Sequence, residues 1–319
     1  MPLDRATRDF LERSGSLTAP RVHEVGAAPA RAGMTARQLS DPPGPAVARV
    51  VDTTTRVDGG RITLRWLLPR RAQGAPAPAV LVYLHGGGWV LGELTGFEGT
   101  ARRLAVGCDC EVVVVDYRLA PEHPYPAAVD DAWRALLAVR QARPGRRLVV
   151  AGDSAGGNLA AALALRAKAA GIELAAQVLI YPVVDADFHR PSYRDPQNQL
   201  MLDAAAMRWF WDQYVPDEAA RRHPDAAPLH AADHRGLAPA IVLTAEHDVL
   251  VDEGEAYVAV LRAAGVPVAH RRFAGQMHGF LGMPNLPGSA RALAFIGEQI
   301  TALLAGRPLD DAGQEGHTP

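Results

Sequence analysis

The amino-acid sequence predicts an α/β protein with a mostly parallel sheet covered by helices on both faces. Short runs that are apolar at every position, such as residues 112–115, are typical of strands buried on both sides. Longer stretches with helical periodicity separate these runs, and this alternation is the pattern of strands joined by crossover helices. The 319 residues are 48% hydrophobic and 21% charged, as expected for a folded globular chain.

The first 45 residues predict a helical arm in front of the main domain. Two weakly amphipathic stretches, around residues 3–11 and 27–39, end at the Pro- and Gly-rich break 41–45. A segment of this length is too short to bury a core of its own, so we expect residues 1–45 to pack on the rest of the chain. Residues 46–306 form the main domain in this interpretation.

The main domain begins with a hairpin and continues as strand and helix in alternation. Residues 47–57 and 61–68 flank Asp58-Gly59-Gly60, a turn sequence that allows positive φ. The further predicted strands are 79–84, 112–115, 148–151, 178–181, 241–245 and 268–273. The predicted helices are 128–140, 155–170, 252–264 and 289–304.

A long interruption comes after the strand that ends at Tyr181. About sixty residues carry no strand signal, well beyond an ordinary connection, so we expect a helical insertion at about residues 185–230. Bulky apolar residues cluster there on roughly one helical turn, at Met207, Trp209, Phe210 and Trp211. The insertion either caps a functional site or packs on the sheet for stability alone. Residues 307–319 are polar and predict a disordered tail.

Composition argues against several classes of function. With 33 Lys and Arg against 35 Asp and Glu, the formal charge of −2 provides no net positive field for nucleic acid. No apolar run approaches the ~20 residues of a membrane helix, and the N-terminus lacks the apolar core of a signal peptide. Cys108 and Cys110 are too few for a disulfide framework and lack the second pair of a zinc site. We therefore expect a cytoplasmic protein with no metal.

The sharpest chemical signal is Gly152-Asp153-Ser154-Ala155-Gly156, which lies between a predicted strand and a predicted helix. A serine on such a tight turn is held in a strained conformation with its Oγ above the sheet edge, and the close backbones require glycine on either side. The helix N-terminus behind the serine favours developing negative charge. An ordinary Gly-rich turn between strand and helix is the alternative.

A second signal is the run His85-Gly86-Gly87-Gly88-Trp89, which comes directly after the strand 79–84. Consecutive glycines leave backbone N–H groups free to point at a ligand, and no Gly-Lys-Ser/Thr comes after them, which excludes a P-loop. An oxyanion hole needs such donors together with the amide after the nucleophile. The expected donors are the amides of Gly87, Gly88 and Ala155, with Gly86 shaping the turn.

A nucleophilic serine needs a base and an acid that orients it, and on this type of sheet both lie after later strands. Asp248 comes after the strand 241–245, and His278 comes after the strand 268–273. The competing acids Asp252 and Glu253 suit the start of the next helix. The competing histidines, which are expected to be structural or exposed, are His85, His123, His247 and His270. The order serine, acid, histidine predicts a catalytic triad of Ser154, Asp248 and His278.

Three motifs together resemble the bacterial hormone-sensitive-lipase-like carboxylesterases of the α/β-hydrolase superfamily. They are residues 85–89, the run Asp116-Tyr117-Arg118-Leu119-Ala120-Pro121-Glu122, and residues 152–158, and the similarity spans roughly residues 45–305. The resemblance implies an eight-stranded, mostly parallel sheet, with a cap built from the N-terminal arm and the insertion. One departure is Val249, where the family often has proline after the catalytic aspartate.

The resemblance implies hydrolysis of short- to medium-chain carboxylic esters through an acyl-enzyme, with no cofactor and with a small-molecule ester as the partner. Amide or peptide hydrolysis and acyl transfer would use the same triad, because they differ in leaving-group protonation and water access. A small-molecule receptor that has lost the base is a further alternative, and the presence of His278 argues against it. The sequence does not fix the oligomeric state, and a homodimer is compatible with it.

The substrate pocket is expected beside the glycine run. Trp89 comes directly after the glycines, so we expect its ring near the mouth of the site. A helix cannot bury all four bulky residues of the insertion on one face, so at least one should point to solvent or to the site. The hypothesis is that this cluster or the N-terminal arm covers Ser154, with Trp209 and Phe210 lining the pocket.

Overall fold

Nine strands form a single sheet within the part of the chain that the computed structural model describes, which is residues 2–15, 17–71, 77–311 and 313–314. The strands are β1 (Arg49–Val57), β2 (Gly60–Leu68), β3 (Ala79–Leu84), β4 (Glu111–Val115), β5 (Arg147–Asp153), β6 (Ala176–Ile180), β7 (Ala240–His247), β8 (Val268–Met277) and β9 (Gly313–Gln314). Their order across the sheet is β1-β2-β4-β3-β5-β6-β7-β8-β9.

The strands from β3 to β8 run parallel, and β2 lies antiparallel between β1 and β4. Val57 pairs with Gly60, so the first hairpin turns on Asp58 and Gly59 as the sequence predicts. The prediction of an eight-stranded, mostly parallel sheet is confirmed for β1 to β8. The ninth strand has two residues and pairs with β8 at Arg271 and Arg272.

Helices cover both faces of the sheet, and the sheet separates two apolar cores. They are α1 (Arg5–Ser14), α2 (Val22–Val25), α3 (Ala27–Leu39), α4 (Leu94–Gly107), α5 (Ala127–Ala142), α6 (Ala155–Ala169), α7 (Ala204–Tyr214), α8 (Val251–Ala263) and α9 (Pro287–Leu304). Alternate residues of β3 point to opposite faces: Val80 and Val82 pack with α5, α6 and α8, whereas Leu81 and Tyr83 pack with α4 and α9. Every residue of β3 is buried, which explains its continuous apolar sequence.

The N-terminal arm is fastened both to the sheet domain and to the insertion. Arg31 in α3 donates hydrogen bonds to the carbonyl oxygens of Val90 and Ala120 and forms a two-point ion pair with Glu122. Arg21, just before α2, donates to the carbonyl oxygen of Leu200 at 2.6 Å. The arm therefore bridges the loop after β3 and the segment that leads into α7.

The insertion between β6 and β7 contains α7 and a series of short 3₁₀ turns. Asp203 caps α7 by accepting a hydrogen bond from the amide of Ala206 at 2.7 Å. Met207, Phe210 and Trp211 are buried, whereas Trp209 is half-buried. The four bulky residues are thus not all on one buried face, as the helical periodicity requires.

The C-terminal tail differs from the expectation of disorder. Asp311 accepts a hydrogen bond from the amide of His270 at 3.1 Å and pairs with Arg262, and β9 then lies beside β8. This segment covers a strand that would otherwise present unpaired backbone groups at the edge of the sheet, which the polar composition of the tail did not indicate. Residues 312 and 315–319 of the predicted tail lie outside the described residues.

A buried carboxyl group ties the insertion to α8. Oε1 of Glu253 accepts a hydrogen bond from the amide of Val184 at 2.8 Å, and Oε2 accepts one from the hydroxyl of Tyr193 at 3.0 Å. Burial raises the pKa of Glu253 to about 8, and the neighbouring charge of Asp185 adds to the rise.

This raised pKa predicts a loss of stability as the pH rises from about 4.5 to about 8. The ordinary pKa of the group is 4.5, so between pH 4.5 and pH 8 the folded chain holds a proton that the unfolded chain has released. The free energy of unfolding therefore falls as the pH rises through this window, by about 1.4 kcal/mol for each unit between the two pKa values. Glu253→Gln should flatten the dependence when urea unfolding is compared at pH 5.5 and pH 8.

The matched control is Glu111→Gln, because Glu111 is also buried but is paired with Arg143 at 2.7 Å. We expect this control to keep the slope of the wild-type chain between the two pH values. If Glu253→Gln had the same slope as the wild-type chain, the buried carboxyl would not be the source of the pH dependence.

Candidate active site

Ser154 lies on a sharp turn between β5, which ends at Asp153, and α6, which begins at Ala155. Its backbone has φ 56° and ψ −120°, a strained conformation for a residue with a side chain. A Cβ on Gly156 would lie 1.9 Å from the carbonyl oxygen of Leu84, and one on Gly152 would lie 2.2 Å from that of Gly156. The two glycines are therefore required by the close approach of the backbones, as the sequence pattern predicts.

The structure brings the three predicted triad residues together. Nδ1 of His278 lies 2.7 Å from Oδ2 of Asp248, and Nε2 of His278 lies 2.9 Å from Oγ of Ser154. Because an ionised carboxylate only accepts, the proton of the neutral imidazole belongs on Nδ1, and Nε2 is left to accept from the serine hydroxyl. Ser154 is 6% exposed and Asp248 is 1% exposed, so both ends of the chain of hydrogen bonds are buried, whereas His278 between them is half-buried.

The loop that holds Asp248 is fixed by hydrogen bonds without the proline that the family often has at position 249. Oδ1 of Asp248 accepts a hydrogen bond from the amide of Leu250 at 3.0 Å, and its carbonyl oxygen accepts one from Val251 at 3.2 Å. The carbonyl oxygen of Val249 accepts a hydrogen bond from Oγ of Ser192 at 2.6 Å. Val249 thus fits the loop, and Oδ2 of Asp248 remains free for His278.

The competing acids are engaged elsewhere. Asp252 accepts a hydrogen bond from the amide of Ser192 at 2.7 Å, and Glu246 accepts one from the amide of Gly275 at 2.8 Å. Glu253 anchors the insertion through Val184 and Tyr193.

The competing histidines do not contact Ser154 within the described chain. His123 is exposed, and Nε2 of His270 lies 3.0 Å from the hydroxyl of Thr244. His247 is buried at the end of β7, where its Nε2 has no hydrogen-bond partner among the described residues.

His85 at the start of the glycine run has a structural position. Its ring is stacked between Phe97 and Tyr117, at centroid distances of 4.8 Å and 4.3 Å. Burial lowers the pKa of His85 to about 4, so the ring is neutral at physiological pH. Nδ1 must carry its proton, because its partner at 2.8 Å is the carbonyl oxygen of Gly86.

The amides of the glycine run differ in their hydrogen-bond partners. Gly86 donates its N–H to Oδ1 of Asp153 at 3.0 Å and is therefore not free for a ligand. The amides of Gly87, Gly88 and Ala155 donate to no other group among the described residues. Gly88 has φ 60°, and a Cβ there would lie 2.2 Å from the ring of Phe210. Three unengaged donors thus lie on the two loops that flank Ser154.

The aromatic residues are arranged differently from the sequence expectation. Trp89 is fully buried rather than at the mouth of the site, and its backbone has a positive φ of 59°. There it stacks on Tyr214 at 4.3 Å and meets Trp211 edge-on at 5.1 Å. Trp89 therefore fastens α7 to the glycine run. Phe210, by contrast, packs directly on that run at Gly88.

Trp209 has a weaker connection to the site than expected. It is half-buried and contacts the ring of Phe210 at a centroid distance of 5.2 Å. A Cβ on Gly86, Gly87 or Gly88 would lie nearest to Asp153, Leu91 or Phe210, respectively, and not to Trp209. Of the two aromatic residues expected to line the pocket, Phe210 is the one that lies against Gly88.

Two residues close to Ser154 and His278 were given no role in the sequence analysis. Asp153 has its carboxylate buried beside the glycine run, and Tyr181 packs its ring 4.9 Å from the ring of His278. Tyr181 also has a positive φ of 36°, so its backbone is strained where β6 ends. Asp153 lies inside the Gly-x-Ser-x-Gly motif, which the sequence analysis did single out. Nothing in the sequence indicated that Asp153 contacts the glycine run or that Tyr181 contacts His278.

The described residues contain neither a group of metal ligands nor a membrane-spanning helix. Within the described ranges, no three His, Cys, Asp or Glu side chains are grouped so that they could hold a metal ion. None of the described helices combines the length and the apolar character needed to cross a membrane.

The chain is similar to known proteins over most of its length. A model of the alpha/beta hydrolase fold family matches residues 81–282. The chain is 43% identical to carboxylesterase NlhH of Mycobacterium tuberculosis over 223 residues, which are 67% of this chain and 70% of that protein. It is 41% identical to the ethyl acetate hydrolase of Pseudomonas putida over 241 residues, which are 73% of this chain and 75% of that protein.

A solved structure has the same architecture over nearly the whole chain. The crystal structure of a thermostable esterase from Pseudomonas putida matches with a TM-score of 0.87 at 37% identity, and the match covers 95% of this chain and 98% of that one. The resemblance that the three sequence motifs carry is thus confirmed. The chain belongs to the alpha/beta hydrolase fold family, among its hormone-sensitive-lipase-like carboxylesterases.

Proposed function

We propose that this carboxylic ester hydrolase uses Ser154 as nucleophile, His278 as general base and acid, and Asp248 as the acid that orients His278. The observation that carries the proposal is the continuous chain of two hydrogen bonds, from Asp248 Oδ2 to His278 Nδ1 at 2.7 Å and from Nε2 to Ser154 Oγ at 2.9 Å. A serine hydroxyl is a weak nucleophile until a base takes its proton, and a base is effective only when its free nitrogen faces that hydroxyl.

In the acylation half of the reaction, Oγ of Ser154 attacks the ester carbonyl carbon while Nε2 of His278 takes the hydroxyl proton. The carbonyl oxygen becomes an oxyanion, to which the amides of Gly87, Gly88 and Ala155 donate. Ala155 is the first residue of α6, so the positive end of the helix dipole adds to this stabilisation. The imidazolium then protonates the leaving alcohol, and the acyl group remains on Ser154.

In the deacylation half, a water molecule takes the place of the alcohol. His278 removes a proton from the water, which attacks the acyl carbon and regenerates the same oxyanion. Collapse of this intermediate returns the proton to Ser154 and releases the carboxylic acid. Asp248 keeps the proton on Nδ1 in both halves, and its charge stabilises the imidazolium that forms in each.

The substrates we propose are esters with short to medium acyl chains. Ser154 is nearly buried, and the ring of Phe210 lies directly on Gly88, so an apolar wall stands next to the proposed oxyanion site. We propose that α7 and the N-terminal arm act as the cap that carries this wall. The bonds of Arg31 to Val90 and of Arg21 to Leu200 support the idea that the arm and the insertion act together.

Purified protein tests the proposal with a series of p-nitrophenyl esters of increasing acyl length and a p-nitroanilide of the same acyl group. Ester turnover far above anilide turnover supports ester hydrolysis. Anilide turnover at a similar rate would favour the amide or peptide hydrolase. Transfer of the acyl group to an added alcohol in preference to water would favour the transferase, and tight binding of esters without turnover would favour the receptor.

Phe210→Ala is expected to move the acyl-length optimum to longer chains. Removing the ring opens space beside Gly88, and each further CH₂ that becomes buried contributes about 0.8 kcal/mol, or about fourfold in kcat/KM. The measurement is kcat/KM along the ester series. Trp209→Ala is the matched control on the same helix, because Phe210 and not Trp209 is the side chain nearest to Gly88. The optimum of this control should stay at the wild-type length. If the acyl-length optimum of Phe210→Ala were unchanged, Phe210 would not line the acyl pocket.

A further inference from the structure

A carboxylate that the proposed reaction does not use is buried directly beside the nucleophile. Asp153 precedes Ser154 at the end of β5 and is 8% exposed. Its Oδ1 accepts hydrogen bonds from the hydroxyl of Tyr83 at 2.6 Å and from the amide of Gly86 at 3.0 Å. Burying an ionisable group costs free energy, and burial raises the pKa of Asp153, while the two hydrogen bonds oppose the rise. The burial of the Asp153 carboxylate next to Ser154 therefore requires a physical explanation.

The hydrogen bonds of the loop after β3 show what this carboxylate does for the backbone. The carbonyl oxygen of His85 accepts a hydrogen bond from the hydroxyl of Tyr117 at 2.7 Å, and that of Gly86 accepts one from Nδ1 of His85. The carbonyl oxygen of Gly87 accepts from the amides of Val90 and Leu91. Asp153 accepts the hydrogen bond of the Gly86 amide. The next two amides of the run, those of Gly87 and Gly88, have no partner among the described residues.

The same carboxylate also sets the distance between the two loops. A Cβ on Gly86 would lie 2.4 Å from Oδ2 of Asp153, so the carboxylate packs against the Cα of Gly86. The loop after β3 therefore has both a hydrogen bond and a van der Waals contact to the residue before the nucleophile. Tyr83, on β3 itself, holds the carboxylate from the other side.

We propose that Asp153 is a positioning residue that fixes the glycine run relative to Ser154, with Tyr83 as its anchor. This inference rests on the proposed function, because it presupposes that the amides of Gly87 and Gly88 bind the oxyanion. Such donors must lie about 2.7–3.1 Å from the place where the oxyanion forms. A displacement of about 1 Å in a reacting geometry can reduce the rate about 10²-fold, so a residue that sets this distance affects turnover without touching the substrate.

A second role would predict a different result. The negative charge of Asp153 could stabilise the imidazolium of His278 through space, in addition to Asp248. Asp153→Asn separates the two roles, because the amide side chain keeps an oxygen that accepts from Gly86 and Tyr83 but carries no charge. If Asp153 only positions the glycine run, Asp153→Asn keeps most of the activity. If its charge stabilises the imidazolium, Asp153→Asn loses that stabilisation.

The experiment compares Asp153→Ala, Asp153→Asn and Tyr83→Phe with the wild-type chain. Three readouts are taken: kcat and KM for p-nitrophenyl acetate, the inhibition constant of a trifluoromethyl ketone that forms an oxyanion on the nucleophile, and the pH profile of kcat/KM. Tyr257→Phe is the control, because Tyr257 is fully buried and its hydroxyl has no partner among the described residues. This control should keep wild-type values.

For Asp153→Ala we expect kcat to fall about 10²-fold with KM changed less than about threefold, and the ketone to bind about 10²-fold more weakly. Asp153→Asn should stay within about tenfold of wild type with an unchanged pH profile, and Tyr83→Phe should lower kcat about three- to tenfold. If Asp153→Ala does not fold, the ketone affinity of the other two variants carries the test.

Three results would overturn the inference: Asp153→Ala with wild-type kcat, Asp153→Asn as impaired as Asp153→Ala with a shifted pH profile, or a fall in kcat without any loss of ketone affinity. Ser154→Ala, assayed alongside, distinguishes these results from a failure of the proposed function. An inactive Ser154→Ala with a fully active Asp153→Ala would contradict this inference alone, whereas an active Ser154→Ala would contradict the proposed function.

Discussion

Replacing Ser154 with alanine is expected to lower kcat/KM for a short p-nitrophenyl ester by about 10⁵-fold, because no other group can form the acyl-enzyme. The residual rate would come from the oxyanion donors and substrate binding, which remain in place. The measurement is initial-rate kinetics with protein free of endogenous esterase. Alanine keeps the Cβ, so the backbone strain at position 154 is unchanged, and the loss of one hydrogen bond to His278 should change the free energy of unfolding by only about 1 kcal/mol.

Ser289→Ala is the matched control for this prediction. Ser289 is also buried, at 1% exposure, and its Oγ donates to the carbonyl oxygen of Leu281 at 2.6 Å. Losing that hydrogen bond should cost about 1 kcal/mol of stability and leave kcat/KM within about threefold. A Ser154→Ala variant that retains a tenth or more of the wild-type rate would show that another nucleophile carries the reaction.

Asp248→Asn is expected to lower kcat by about 10⁴-fold while leaving the fold intact. The amide of asparagine can donate to Nδ1 of His278, which then favours the tautomer with its proton on Nε2. In that tautomer Nε2 cannot accept the proton of Ser154. The loss should appear mainly in kcat, since Asp248 does not contact the substrate in the proposed reaction.

Asp131→Asn serves as the control, because Asp131 is another fully buried aspartate whose carboxylate is paired with Arg118 at 2.7 Å. Breaking this ion pair should reduce the melting temperature, and kcat should stay within about tenfold of wild type. If Asp248→Asn kept a tenth of the wild-type kcat while Asp252→Asn lost activity, the orienting acid would be Asp252 instead.

The sheet was predictable because its central strands are buried on both faces and therefore apolar at every position. The helix α4 was not predicted, because Gly96, Gly99 and Gly107 lower its intrinsic helix propensity. Packing of Phe97, Ala101 and Leu104 on the sheet stabilises it instead. Tertiary contacts of this kind leave no periodic signal strong enough to be read from the sequence.

The proposed triad was accessible from the sequence because each residue lies just after a strand, and the carboxyl ends of parallel strands meet at one edge of the sheet. The details of the pocket were not accessible in the same way. The direction of the Trp89 ring depends on a positive φ, and the contact of Phe210 with Gly88 joins residues far apart in the chain. Likewise, nothing in the motif around Ser154 indicates that the carboxylate of Asp153 turns towards Gly86.

Covalent trapping shows directly whether Ser154 is the nucleophile that reacts with the substrate. The wild-type chain, Ser154→Ala and Asp248→Asn would each be treated with diethyl p-nitrophenyl phosphate and analysed by intact mass and peptide mapping. We expect one diethylphosphoryl group per wild-type chain on the peptide that contains Ser154, no label on Ser154→Ala, and much slower labelling of Asp248→Asn. Stoichiometric labelling at another residue, or equal labelling of the wild-type chain and Ser154→Ala, would contradict the role of Ser154 as nucleophile.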